Sequence, residues 1–167
     1  MSSENRQVLQ KRTACCEKGF CIFVPVSDDA SHDRDIKVGQ PEVDSQAQMP
    51  AHILVVDDEK NLLHIWKDML RHFGYEVTTA LSGEEAIEVF RGVGPDLVIL
   101  DMNMPGMGGL SCLEHLIQMD PSVRVIISSG HDEDAEVEKA FKLGARGFLG
   151  KPFTVDSLLS EIRKTLD

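Results

Sequence analysis

The fold of this chain is decided by one stretch, residues 96–110, which reads DLVILDMNMPGMGGL. The large aliphatic residues at 97–100 end in a single acid, Asp101, and a loop rich in glycine and proline follows at once. A continuous aliphatic run bounded by turn residues is typical of a buried parallel strand. We therefore expect Asp101 at the carboxyl edge of a sheet, where open α/β folds place their functional groups. Taken alone, the stretch also allows that Asp101 merely caps the helix after the loop.

Strands and helices alternate through the rest of the chain. The predicted strands read HILVVDDE (52–59), YEVTT (75–79), DLVILD (96–101), VRVIISSG (123–130) and ARGFLGKPF (145–153). Apolar residues at helical spacing follow them, and in the first helix they are Leu62, Trp66, Met69, Leu70 and Phe73. Such alternation requires parallel strands joined by crossovers, with helices on both faces of the sheet. The predicted fold class is α/β, a (βα)5 doubly wound parallel sheet in the order 2-1-3-4-5.

The chain divides into two parts that differ in composition and in hydrophobic periodicity. Residues 1–50 are polar and lack a clear period, and Pro41 and Pro50 punctuate a stretch that is typical of a linker. We therefore predict a poorly structured, largely disordered N-terminal extension over residues 1–50. The (βα)5 domain is predicted over residues 51–167.

The N-terminal part has one patterned segment and three cysteines. Residues 19–26, GFCIFVPV, fit a short edge strand. Cys15, Cys16 and Cys21 offer ligands for a metal or a sensor of oxidation, but the C-x-x-C pair of a zinc site and a fourth ligand are missing. Incidental thiols are therefore the default interpretation.

The overall charge excludes several classes of partner. The 167 residues contain 28 acids against 17 Lys and Arg, for a net charge of −11. Binding to nucleic acid or to an anionic membrane needs clustered Lys and Arg, so neither is expected as a direct partner. There is no apolar run of the roughly 18 residues that suggest a membrane span, and the chain does not start like a signal peptide. We expect a cytoplasmic protein.

Charged or hydroxyl side chains lie at the ends of four predicted strands. They are Asp57 and Asp58, Asp101, Ser129 and Lys151. Strands 1 and 3 are neighbours in the predicted order, so the three carboxylates crowd together and repel one another. Lys151 offsets one charge. A hard divalent cation that prefers oxygen ligands, Mg²⁺, would offset two more.

A carboxylate beside Mg²⁺, an ammonium group and a hydroxyl is what phosphoryl transfer to oxygen requires. The cations neutralise the transferring oxygens, and the hydroxyl of Ser129 donates a hydrogen bond to one of them. Asp101 faces the loop and is therefore the expected nucleophile. Asp57 and Asp58 are expected to hold the metal.

These motifs resemble a known family. VVDDE (55–59), LDMNMPGMGGL (100–110), SSG (128–130) and KPF (151–153) occur in the order and rough spacing of the receiver domain of two-component response regulators. The resemblance covers about residues 51–167. It implies the flavodoxin-like fold of the CheY type.

The resemblance gives a role to each charged residue of the cluster. It implies that Asp101 accepts a phosphoryl group from the phosphohistidine of a sensor histidine kinase or a histidine phosphotransfer protein, forming an aspartyl phosphate. Mg²⁺ would be bound by Asp58, Asp101 and the backbone carbonyl of Asn103. Asp57 would hold the same ion through water, and Lys151 would pair with the phosphoryl group.

The resemblance also implies a conformational switch. Ser129 would be the hydroxyl that moves toward the phosphoryl group, whereas Ser128 points to the other side of the strand by alternation. Phe148 takes the position of the switch aromatic and, having no hydroxyl, acts by packing alone. The face formed by the fourth helix, fifth strand and fifth helix would then change shape. Asn103 and His131 occupy positions that tune hydrolysis of the acyl phosphate in the family.

The sequence therefore predicts a stand-alone response regulator of a phosphorelay. No helix-turn-helix or basic region is present, so a DNA-binding output domain is not expected. The chain would be a self-phosphorylating and self-dephosphorylating signalling module rather than an enzyme, and its partners would be a kinase or phosphotransfer protein and a downstream protein target. Two alternatives stay open, the terminal receiver of a hybrid histidine kinase and a Mg²⁺-dependent phosphatase with an aspartyl nucleophile. Such phosphatases usually carry an acid two residues after the nucleophile, where this chain has Asn103.

Overall fold

A computed structural model describes residues 13–15, 21–23, 50–130 and 135–167 of the chain. Two short strands, β1 (Thr13–Cys15) and β2 (Cys21–Phe23), pair antiparallel. The main sheet contains β3 (His52–Val56), β4 (Glu76–Ala80), β5 (Leu97–Asp101), β6 (Val125–Ser129) and β7 (Gly147–Gly150). The helices are α1 (Lys60–His72), α2 (Gly83–Val93), α3 (Gly108–Met119), α4 (Ala135–Leu143) and α5 (Val155–Leu166).

The main sheet is parallel throughout and has the order β4-β3-β5-β6-β7. Counted within this domain, that is the order 2-1-3-4-5, with one helix after each strand. The predicted (βα)5 fold and strand order are therefore confirmed. The central strands are aliphatic because both of their faces are covered by helices.

The sheet separates two hydrophobic cores. Leu54 and Val56 of β3 belong to the core under α2, α3 and α4, whereas Ile53 and Val55 belong to the core under α1 and α5. Successive strand residues point to opposite faces, so one short aliphatic strand contributes to both cores. The sheet is therefore packed on both faces, and the side chains that follow its strands lie at its edge.

Helix α1 joins the second core through an aromatic contact. Trp66 is buried, and its ring centroid lies 5.1 Å from that of Phe153 at the start of the segment before α5. The prediction that Phe73 shares this buried face is wrong, because Phe73 is 44% exposed. It is the C-cap residue of α1, past the last helical turn, so the helical spacing no longer applies to it.

The register of the sheet brings four strand ends to one edge. Val56 pairs with Leu100, so Asp57 and Asp101 leave adjacent strands at the same level. Ser129 pairs with Gly150 at the ends of β6 and β7, and Lys151 follows directly. This is the edge at which the sequence predicts the functional residues.

The N-terminal prediction is only partly covered by the described residues. The strand predicted within residues 19–26 agrees with β2, and Cys15 pairs with Cys21 in the register of the two strands. Cys16 and the predicted linker lie outside the described residues. Among the described residues, no helix is both long enough and apolar enough to cross a membrane.

Gly109 is the point where α3 packs most closely on the loop after β5. A Cβ atom at this position would lie 2.5 Å from the backbone oxygen of Asp101 and 2.5 Å from Cα of Met102. The N–H of Gly109 also donates to the carbonyl of Met102 at 3.3 Å. Both obstacles are backbone atoms, so they cannot move aside as a flexible side chain would.

We expect Gly109→Ala to destabilise the domain by about 1–3 kcal/mol, the range for overpacking a close-packed site. Gly92→Ala is the matched control, because a Cβ on that helical glycine meets nothing within 4 Å. It should be neutral or stabilising by up to about 1 kcal/mol, since alanine favours the helix more than glycine. Urea unfolding of both variants checks this, and equal stabilities would contradict the close approach.

Candidate functional site

Three carboxylates meet at the carboxyl edge of the sheet. Oxygen atoms of Asp57, Asp58 and Asp101 all lie within 4.8 Å of one another. Asp57 is 3% exposed and Asp101 is 2% exposed, whereas Asp58 is partly exposed. The predicted meeting of acids from β3 and β5 is therefore what the structure shows. So close a group of buried anions needs a compensating positive charge.

Lys151 provides part of that charge. Its Nζ donates a hydrogen bond to Oδ2 of Asp57 at 3.2 Å and lies 3.1 Å from Oδ2 of Asp101. The lysine side chain is 13% exposed, so the pairs are shielded from bulk water and are stronger than surface ion pairs. One ammonium group between carboxylates still leaves the cluster with a net negative charge.

Backbone amides orient the two buried acids. The N–H of Glu59 donates to Oδ1 of Asp57 at 2.9 Å, and the N–H of Asn103 donates to Oδ1 of Asp101 at 3.2 Å. Each carboxylate therefore accepts an N–H from the residue two positions later, which is the pattern of an Asx turn. In both acids the other oxygen, Oδ2, faces Lys151.

Oδ2 of Asp101 is a carboxylate oxygen whose hydrogen-bonding capacity is not satisfied by the described residues. It is fully buried and, among the described residues, receives no hydrogen bond, although the ammonium of Lys151 is close. A buried carboxylate oxygen without a hydrogen bond is costly. An oxygen-rich, net negative cluster with such an atom fits a hard divalent cation. Asp57, Asp58 and Asp101 are the side chains that could hold one.

The electrostatics of Asp57 support the same conclusion. Burial raises the pKa of this carboxyl above its ordinary value, and the charge of Asp101 adds to the rise. Lys151 and the N–H of Glu59 lower the pKa but do not cancel the effect of burial. The carboxylate form is therefore disfavoured until more positive charge is present.

The two serines at the end of β6 are both buried. Oγ of Ser128 donates to the carbonyl of Leu149 at 3.3 Å, so this hydroxyl is used within the sheet. Ser129 is buried at the strand end, and its carbonyl accepts the N–H of Lys151 at 2.7 Å. The backbone of Ser129 thus fixes the start of the segment that carries the lysine.

The remaining predicted site residues are distributed around this centre. Asn103 lies in the loop after β5 and contacts Asp101 through its backbone. Phe148 lies on β7, partly buried against the core under α2, α3 and α4. His131 lies outside the described residues. Sequence reasoning missed the backbone contribution of Glu59. The signal for it is an Asp directly after a strand, which can accept the N–H two residues later in an Asx turn.

The fold and this acidic site define a class of signalling domain, and comparison with known proteins gives the family. The family model "Response regulator receiver domain" matches residues 53–163. The chain therefore belongs to the response regulator receiver domains, which are signalling modules.

Individual relatives agree with this family. The chain is 38% identical to the chemotaxis protein CheY of Bacillus subtilis over 120 residues, which cover 71% of this chain and 100% of that protein. It is 32% identical to the sporulation initiation phosphotransferase F of Bacillus subtilis over 118 residues, 71% of this chain and 95% of that protein. A solved CheX–CheY–BeF3–Mg²⁺ complex from Borrelia burgdorferi matches with a TM-score of 0.68 and 28% identity, covering 71% of this chain and 91% of the other.

The raised pKa of Asp57 predicts that Asp57→Asn makes the metal-free protein more stable, by an amount that depends on pH. An acid whose pKa is higher in the folded state lowers the free energy of unfolding when it ionises. This loss of stability is absent below the ordinary pKa of 3.8, grows as the pH rises toward the folded pKa, and is complete above it. The neutral amide avoids this penalty. Asp57→Asn should therefore have a higher Tm than the wild type near neutral pH, and the difference should shrink toward acid pH.

Thermal unfolding in EDTA at neutral and acid pH measures this effect. Asp68→Asn is the control, because Asp68 is exposed on α1 and undergoes the same chemical change. Millimolar Mg²⁺ should then stabilise the wild type more than the Asp57→Asn variant. A loss of metal-free stability at neutral pH would contradict the raised pKa.

Proposed function

We propose that this chain is a Mg²⁺-dependent phosphoacceptor of a two-component phosphorelay, with Asp101 as the residue that is phosphorylated. The observation that carries the proposal is the buried Oδ2 of Asp101, which lies 3.1 Å from Nζ of Lys151 and accepts no hydrogen bond from the described residues. Such an oxygen has a lone pair available for attack on phosphorus. The receiver would extend over residues 51–167, slightly beyond the matched range, with residues 1–50 as an extension.

The acids present suit Mg²⁺. Asp58, Asp101 and the backbone carbonyl of Asn103 would hold the ion directly, and Asp57 would hold it through water. When bound, Mg²⁺ supplies positive charge for the phosphoryl oxygens and for the carboxylates. The solved complex of CheX and CheY from Borrelia burgdorferi contains BeF3 and Mg²⁺, and this supports the choice of metal.

The chain's own groups would guide the transfer. An oxygen of Asp101 forms the new O–P bond while the N–P bond of a partner's phosphohistidine breaks, and the imidazole leaves with the electron pair. Lys151 lies 3.1 Å from this carboxylate and can follow the developing charge on the phosphoryl oxygens. The burial of Asp101 limits access of water and so favours transfer over hydrolysis.

The output would pass from the site to the face of α4, β7 and α5. Ser129 would donate to the phosphoryl group, and Phe148 on β7 would repack toward the space behind it. Phe148 is only partly buried, and its ring carbon Cε1 lies 3.3 Å from the position of a Cβ on Gly150, so its ring already borders the strand end. Two packings separated by a few kcal/mol are sufficient for such a switch.

The partners follow from this chemistry. A sensor histidine kinase or histidine phosphotransfer protein would supply the phosphoryl group in the cytoplasm, and a downstream protein target would bind the altered face. Similarity to the sporulation initiation phosphotransferase F supports a role in phosphoryl transfer between proteins. Asn103 and His131 would tune self-dephosphorylation.

Asp101→Asn should abolish labelling by acetyl phosphate in the presence of Mg²⁺, because the amide oxygen is a far weaker nucleophile than a carboxylate. Asp68→Asn, on the exposed face of α1, is the control for loss of one charge and should be labelled like the wild type. Intact-mass spectrometry measures the phosphorylated fraction. Undiminished labelling of Asp101→Asn would place the phosphoacceptor elsewhere.

Ser129→Ala should slow labelling by roughly 10- to 100-fold. The expected effect is no larger than that of removing one oxyanion donor from an active site, because Lys151 still neutralises the phosphoryl oxygens. Ser128→Ala removes the same hydroxyl one residue earlier, where it donates to Leu149 within the sheet. That variant should change the labelling rate little, although it loses some stability. Initial rates with acetyl phosphate compare the two, and equal rates would show that Ser129 is not the assisting hydroxyl.

A further inference from the structure

The loop after β5 connects the proposed phosphoacceptor to α3 and is anchored at its two ends. Near its start, the N–H of Asn103 donates to Oδ1 of Asp101. Near its end, α3 lacks the usual anchors of a helix N-terminus, because Met107 provides no side-chain cap and the first turn contains no acid. The N–H of Gly109 in the first turn donates to the carbonyl of Met102 in the same loop, but the N–H of Met107 needs an acceptor from elsewhere.

Glu84 provides that acceptor from a different helix. Its Oε1 accepts the N–H of Met107 at 3.1 Å, across 23 positions in sequence. The same atom lies 3.3 Å from the position of a Cβ on Gly106, whose φ of +82° turns the loop toward α2. A carboxylate at a helix N-terminus also interacts favourably with the helix dipole. Glu84 of α2 thus caps α3.

The start of α2 is fixed well enough to hold Glu84 in place. Ser82 caps α2 by accepting the N–H of Glu85, and Oε2 of Glu85 accepts the N–H of Leu81 at 2.7 Å. The neighbouring residue Gly83 packs against α3, since a Cβ on it would lie 3.1 Å from Cβ of Cys112. Sγ of Cys112 also donates to the carbonyl of Gly83 at 3.7 Å.

We propose that Glu84 is a positioning residue for the phosphoacceptor site, because it fixes the far end of the loop that presents the backbone carbonyl of Asn103 to the metal. This inference rests on the proposed function. With Glu84 in place the carbonyl is held for Mg²⁺, and without it the loop and the first turn of α3 fluctuate together.

The ionisation state of Glu84 is suited to this role. Hydrogen bonds lower the pKa of its carboxyl, first from its own backbone N–H and then from the hydroxyl of Ser82 and the N–H of Met107. The group is therefore a carboxylate near neutral pH.

Three variants test the inference. Glu84→Ala removes the acceptor, and Glu84→Gln removes the charge but keeps an oxygen that can accept from Met107. Glu88→Ala is the matched control, because Glu88 is exposed one turn later on the same helix. The measurements are amide hydrogen exchange at Asn103 and Met107, the Mg²⁺ dissociation constant from NMR titration, the rate of labelling by acetyl phosphate, and urea stability.

We expect Glu84→Ala to speed exchange at both amides and to weaken Mg²⁺ binding about fivefold, the scale of one net hydrogen bond. Labelling at subsaturating Mg²⁺ should slow by a similar factor. Glu84→Gln should restore most of the binding, and Glu88→Ala should match the wild type. A role in stability alone would lower the urea midpoint without changing the dissociation constant of the folded protein.

Other results would overturn the role of Glu84 or the function itself. Mg²⁺ binding and exchange in Glu84→Ala that equal those of Glu88→Ala would overturn the role of Glu84 and leave the proposed function standing. The role of Glu84 also fails if Glu84→Gln is as impaired as Glu84→Ala. A wild-type chain that neither binds Mg²⁺ nor is labelled would instead overturn the proposed function, and the role of Glu84 with it.

Discussion

The structure depends on how three carboxylates are kept together at one edge of the sheet. Asp57 and Asp101 are almost fully buried, and Asp58 lies within the same small space. Lys151 bridges the two buried acids, but one ammonium group cannot neutralise three carboxylates. The sheet tolerates this repulsion because its two hydrophobic cores hold the strands rigidly. The result is a net negative site that a bound cation would stabilise, so cation binding would also stabilise the folded domain.

The acids of the charged cluster could be predicted because they lie at the ends of two short aliphatic strands, β3 and β5. A buried parallel strand leaves a clear signal in sequence, and parallel strands place their carboxyl ends at one edge. The convergence of four strand ends favoured Asp101 as a nucleophile over a simple helix cap. The family resemblance then added the phosphohistidine donor and the role of the Asn103 carbonyl. Alternation along β6 also separated Ser128 from Ser129, and in the structure the hydroxyl of Ser128 donates to the carbonyl of Leu149.

Other features could not be predicted because they depend on tertiary contacts. The hydrogen bond from Met107 to Glu84 joins two helices, and neither residue belongs to a local motif that signals it. The exposure of Phe73 was missed because helical spacing continues in the sequence after the helix itself has ended. Local patterns thus located the charged centre, whereas the contacts that fix its surrounding loops required coordinates.

The aromatic contact between α1 and the segment after β7 has a practical consequence. Trp66 is the single tryptophan of the chain, and it packs against Phe153, two residues after Lys151. Indole emission is sensitive to the distance and polarity of neighbouring groups. A displacement of Lys151 that carries Phe153 with it alters the surroundings of the indole, so the native chain contains its own fluorescent reporter of this segment and needs no attached dye.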